Sequence, residues 1–131
     1  MKPTALRIIA AIPGIPMALF AIGLIFQPEQ AVANLSMPLL EGAALSTQLG
    51  DMTSFFVCTG AFIFMGAYLA APRWLYAGAA LLIVTAFART LAYLVHGADL
   101  SAEPIAVEVV STIWLVTCAI LMRKSSEAET A

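Results

Sequence analysis

The chain has 131 residues, of which 62% are hydrophobic and only 11% charged, with a formal net charge of -2. A soluble globular domain carries roughly 25% charged residues, and a small domain buries only about two-thirds of its unfolded surface. A water-soluble fold is therefore excluded, as is nucleic-acid binding, for which the chain has no basic patch.

Crossing the hydrocarbon takes about 20 predominantly apolar residues per helix. Four segments meet that need, near Ala5–Phe26, Thr53–Ala71, Leu75–His96 and Ile105–Met122. The expected fold is all-α, a single integral-membrane four-helix bundle over residues 1–131 with no room for a second domain, and the lipid bilayer is its first partner.

The first segment follows Lys2 and Arg7, and Ala31-Val32-Ala33 fits a small-residue cleavage site. Its apolar run is longer than that of a signal peptide, so it is read as a retained helix. Ala10, Gly14 and Ala18 form a smooth stripe for close helix approach. Pro13 and Pro16 interrupt the hydrogen-bond ladder and predict a kink.

Residues 27–50 are too polar and too often broken, by Pro28, Pro38 and Gly42, to span. They form the outer loop, with a short interfacial helix expected over Glu29–Met37. The second and third segments are joined by a tight turn, Ala71-Pro72-Arg73-Trp74. Trp74, Tyr68 and Tyr76 make an aromatic belt beside it. His96-Gly97 ends the third segment and Pro104 opens the fourth. Ser125–Ala131 reads as a disordered tail.

Five of the six basic residues, Lys2, Arg7, Arg73, Arg123 and Lys124, fall on one side of this topology. The opposite loops hold Glu29, Glu41, Asp99 and Glu103. The positive-inside rule then places both termini in the cytoplasm. Cys58 and Cys118 have neither Cys-x-x-Cys spacing nor a neighbouring His and read as small core residues. With a single His, the chain offers no metal site, and no cofactor is expected.

Arg89 breaks the apolar pattern inside the third segment, about 10 Å inward from His96 at 1.5 Å per residue. Arginine at a helix centre costs roughly 2.5 to 3.5 kcal/mol, so it is expected to face the bundle and pair with Asp51 or Glu108. Arg89, Tyr93 and His96 share one helical face; Glu108, Ser111 and Thr112 share a second; Asp51, Ser54 and Cys58 share a third. Turned inward, these faces would make a polar pocket over Phe55, Phe62, Met65 and Trp114, mostly apolar with a few convergent polar groups.

Two functions follow. In one, the pocket binds a small lipophilic molecule and transforms it without cofactor. Asp51 or Glu108 is then the base, Arg89 polarises an oxygen, Tyr93 or His96 donates a proton, and Ser54, Ser111, Thr112, Phe55 and Trp114 line the ligand. In the other, the chain is a non-enzymatic accessory subunit of a membrane complex or a homo-oligomer, and the charges only clamp helices. Ion transport has less support, because the ionisable groups lie toward one end.

With Asp51 opening the second helix, Arg89 late in the third and Glu108 early in the fourth, the chain resembles the DoxX-like superfamily. It is most similar to the small bacterial four-helix membrane proteins of domain of unknown function 4345. That group often carries a further Arg and paired Gly early in the second helix, where this chain has Thr53, Ser54, Cys58 and a single Gly60. The resemblance implies a four-helix membrane bundle and supplies no settled activity.

Overall fold

The computed structural model describes residues 3–130. Lys2 and Ala131, which enter the charge and tail readings above, lie outside them. The elements are α1 (Pro3–Ala11), α2 (Gly14–Phe26), α3 (Pro28–Ala33), α4 (Gly42–Tyr68), α5 (Pro72–His96) and α6 (Ala102–Thr130). There is no strand among the described residues. Four helices are long and apolar enough to cross a membrane: Thr4–Phe26, which joins α1 and α2, Gly42–Tyr68, Pro72–His96 and Ala102–Ala128. The chain is an all-α four-helix membrane bundle. One end carries the start of α1, the α4–α5 turn and the end of α6, and is called the terminal end below; the other is the loop end.

The expected kink is a break between α1 and α2, and only one of the two prolines makes it. Pro13 has no N–H to give to the Ile9 carbonyl, so the chain tightens locally, with Ile12 N–H donating to Ile9 O at 3.3 Å and Ile15 N–H to Ile12 O at 3.1 Å. Pro16 sits in the first turn of α2, where its N–H would have no helical partner anyway. The small-residue stripe performs as expected: Ala10 and Gly14 are buried and Ala18 is half-buried. A Cβ on Gly14 would come within 3.0 Å of the Phe64 ring, and one on Gly60 within 3.4 Å of Met17. The first span thus crosses α4 at near-backbone distance.

Around the bundle, α5 packs on α6 and α4, α2 packs on α4 and α3, and α1 packs on α4 and α6. The core runs from Leu6, Ala10 and Leu24 through Ile63, Leu75 and Leu82 to Leu115 and Met122. Ile22, Ile25, Phe87, Leu94 and Ile113 face outward, where lipid would meet them.

Several boundaries differ from the sequence reading. The second span begins at Gly42, not near Thr53, and Asp51 lies well inside α4. Hydropathy detects immersion in lipid, and Ser46, Thr47, Gln48 and Asp51 belong to helix that needs no immersion. Ala43, Ala44, Leu45 and Gln48 are good helix formers. Gln48, only 7% exposed, also ties the preceding strap down: it accepts from Leu40 N–H and donates to Pro38 O, both at 3.0 Å.

Pro72, Arg73 and Trp74, expected in the turn, form the first turn of α5. The turn proper is Leu69–Ala71, with Ala70 at a φ of 50° and Ala71 N–H donating to Gly66 O at 3.0 Å. The expected tail from Ser125 is instead helical through Thr130; Arg123 and Glu127 stand 3.6 Å apart at i, i+4, and Ser125 bonds back to Leu121 O. The interfacial helix is present over Pro28–Ala33, with Ala31 and Val32 buried against the bundle. Cys118 is in the core as expected, but Cys58 is exposed.

Candidate functional site

The loop end of the α5–α6 hairpin holds an ion pair between a half-buried arginine and a buried glutamate. Arg89 Nε donates to Glu108 Oε1 at 2.9 Å, with the two side chains 30% and 9% exposed. Arg89 lies two turns before the α5 C-terminus and Glu108 two turns into α6, so the short Gly97–Ser101 connection sets them side by side. Gly97 makes that reversal, with a φ of 67° that favours glycine. The pair is the contact expected from sequence, made with Glu108 rather than Asp51.

Glu108 uses only half of its carboxylate on Arg89. Oε2 is buried and accepts no hydrogen bond from the described residues. A carboxylate has about four acceptor positions, and a buried acceptor without a partner costs about 1–3 kcal/mol, more when charged. Its surroundings on α6 are polar: Ser111 and Thr112 are half-buried beside it. The Thr112 hydroxyl donates to Glu108 O at 2.8 Å within its own helix, with Ala79 O at 3.5 Å across to α5.

The remaining expected site residues do not converge on this pair. Asp51, Ser54 and Cys58 share a face, as their spacing requires, but all three are exposed, so that face turns out of the bundle. Asp51 forms no ion pair among the described residues, and Ser54 Oγ donates to Asp51 O at 2.9 Å. The reason is rotational: the buried stripe of α4 runs through Gln48, Phe56, Thr59, Gly60 and Ile63, which places Asp51 on the opposite side. Tyr93 and His96 are exposed at the end of α5.

Nor does the expected apolar floor form as a unit. Phe55 is half-buried and stands edge-on to Phe56 with ring centres 5.2 Å apart. Phe62 stacks on Trp74 at 5.5 Å, near the terminal end, and Met65 is 38% exposed. Trp114 donates its indole N–H to Ile9 O at 3.0 Å, which is the carbonyl that Pro13 deprives of its helical donor.

That contact and two others escaped the sequence reading. Arg7, counted there only as a topology charge, reaches across to the end of α4, with Nε donating to Ala67 O at 2.9 Å and Nη2 to Tyr68 O. Its charge sits on the last carbonyls of a helix, where a cation is favourable. Pro13 signals that Ile9 O needs an outside donor, yet nothing in the sequence says which side chain supplies it. Gln48 stood within a stretch read as loop.

At the loop end, a cleft of about 270 Å³ is lined by Phe20, Gly23, Gln27, Gln30 and Asn34, among others. It lies between α2 and α3, and neither Arg89 nor Glu108 lines it. No family model matches this chain, and neither a curated protein nor a solved structure is significantly similar to it.

Proposed function

We propose that this membrane protein binds a small lipophilic molecule bearing a hydrogen-bond donor, such as a hydroxyl or N–H group, at Glu108. The observation that carries the reading is the buried Oε2 without a protein partner, beside an Oε1 held by Arg89. Arg89 keeps the carboxylate oriented, and Ser111 offers a second polar group on the same face of α6. An amphipathic molecule in the surrounding lipid would reach the pair from the half-exposed Arg89 side.

Binding is favoured over turnover. Acid–base chemistry needs a second proton carrier beside Glu108, and the three candidates, Asp51, Tyr93 and His96, are exposed and form no hydrogen bond or ion pair with it. The one-sided basic residues support an orientation with both termini in the cytoplasm, and the family resemblance supports the inner membrane of a bacterium as the location. The resemblance to the DoxX-like proteins remains part of this proposal and rests on the sequence positions of Asp51, Arg89 and Glu108.

The test is the double variant R89M/E108L, which removes both charges at similar volume. Replacing a buried pair as a set is often neutral or stabilising, so the variant is expected to fold. Small molecules extracted with the purified wild type should be missing from it, as read by mass spectrometry. A folded variant that retains every extracted molecule would leave the pair as a helix clamp.

A further inference from the structure

At the terminal end, the same contacts that cap α4 leave Arg7 with a charge to offer. Nε and Nη2 serve Ala67 O and Tyr68 O, and among the described residues Nη1 has no partner and no acidic side chain pairs with Arg7. Two neutral carbonyls orient the guanidinium without cancelling its charge. The Tyr68 ring lies 6.0 Å below it, and Tyr68 is itself exposed.

Directly beside this cation is a cleft of about 530 Å³, with Thr4, Arg7 and Tyr68 at its rim and Ala11 and Phe64 in its wall. A second cleft, of about 240 Å³, continues along the same seam between the first span and α4, walled by Ala18, Ala21, Gly60 and Ala61 and again by Phe64. The shared residue has a specific cause. Gly14 lacks a Cβ, and the Phe64 ring lies so close that one would meet it at 3.0 Å, so the ring sinks toward the first span and becomes a common floor. Arg7 to Ala18 covers about 16 Å at 1.5 Å per residue, about half the roughly 30 Å hydrocarbon thickness. That is the depth of one leaflet.

We infer that the seam between the first span and α4 is a binding site for a phospholipid with an anionic headgroup, its phosphate on Arg7 and one acyl chain lying over Phe64 toward Ala18. A zwitterionic lipid fits the groove equally well but has a weaker claim on an uncompensated cation. The seam is remote from Glu108, so the two sites stand or fall separately.

The test uses the full chain reconstituted in phosphatidylcholine vesicles with a trace of spin-labelled phosphatidylglycerol or, in parallel, spin-labelled phosphatidylcholine. The motionally restricted fraction of each label is read by electron spin resonance. Wild type is expected to favour phosphatidylglycerol by roughly fivefold, the factor for about one basic residue near anionic lipid. Arg7→Gln removes that preference. Because Arg7 also caps α4, Ala11→Leu provides a second arm that fills the groove with Arg7 intact, and it too should abolish the preference. Wild type without preference, Arg7→Gln with the preference intact, or Ala11→Leu with the preference intact would each overturn the site. Displacement of the labelled lipid by inorganic phosphate would also overturn it, since the anion alone would then be the ligand.

Discussion

The indole N–H of Trp114 on α6 donates to the carbonyl oxygen of Ile9 on α1 at 3.0 Å, and Pro13 is the reason that oxygen keeps only the long 3.3 Å bond from Ile12 N–H within its own segment. A backbone carbonyl that has lost its i+4 donor in lipid has no water to make up the difference. The fourth span therefore supplies the donor that the first has lost, and α1 rather than α2 is the half of the first span that packs on α6. Trp114→Phe is expected to cost about 1 kcal/mol by equilibrium unfolding in detergent. In a Pro13→Ala background, where residue 13 regains its N–H, the same substitution should cost measurably less. Equal costs in both backgrounds would show that the bond does not compensate for the proline.

Gln48 holds the segment before α4 by two hydrogen bonds, to Leu40 N–H and Pro38 O. Gln48→Leu keeps the volume and removes both. It should speed exchange of the Leu40 amide while leaving amides in the centre of α4 unchanged, with a stability loss of about 1–2 kcal/mol. Hydrogen-exchange mass spectrometry resolves the two regions.

Ala70 ends α4 in the left-handed region, at a φ of 50°, a position that glycine fills without the cost of a Cβ. Ala70→Gly is expected to stabilise the bundle by about 1 kcal/mol. A loss of stability would mean that the turn does not carry that strain.

The four spans were the most legible part of the sequence, and the reasons are physical. Four apolar runs report immersion in lipid and mark the spans, and the pairing of Arg89 with a carboxylate followed because an intramembrane arginine has few alternatives. Helix outside the hydrocarbon was poorly legible. The starts of α4 at Gly42 and the end of α6 at Thr130 lie in segments polar enough to pass for loop and tail. Helix rotation was the other blind spot: the spacing of Asp51, Ser54 and Cys58 fixed that they share a face, but not that Gln48, Phe56 and Thr59 would be the face turned inward. Those were decided by packing against the first span and α5.

The orientation proposed for the termini is open to a direct check. In a Cys58→Ala, Cys118→Ala background, a cysteine replacing Ser46 should react with a membrane-impermeant maleimide added to intact cells, and one replacing Ser125 only after lysis. The reverse pattern would put the terminal end outside.

The Arg89–Glu108 pair should be costly to break one side at a time. Arg89→Met leaves a buried carboxylate without its cation and is expected to lose about 3–5 kcal/mol, whereas R89M/E108L should recover most of that loss. Thermal unfolding of the two purified variants beside wild type measures the difference, and equal losses would mean that the pair contributes net stability as a clamp.

The central claim is that Glu108 Oε2 is the acceptor for a ligand's donor group, and Glu108→Gln tests it with almost no change in shape. Arg89 has only donors, so the amide oxygen must take the place of Oε1, and the NH₂ group then stands where Oε2 accepted. The measurement is quantification, by mass spectrometry, of the small molecule extracted per mole of purified protein, with helical content checked by circular dichroism. Glu108→Gln is expected to remain folded and to lose the molecule at least about tenfold, the factor for roughly 1.4 kcal/mol of lost hydrogen bonding. A folded Glu108→Gln protein carrying the same molecule in the same amount as wild type would contradict the account.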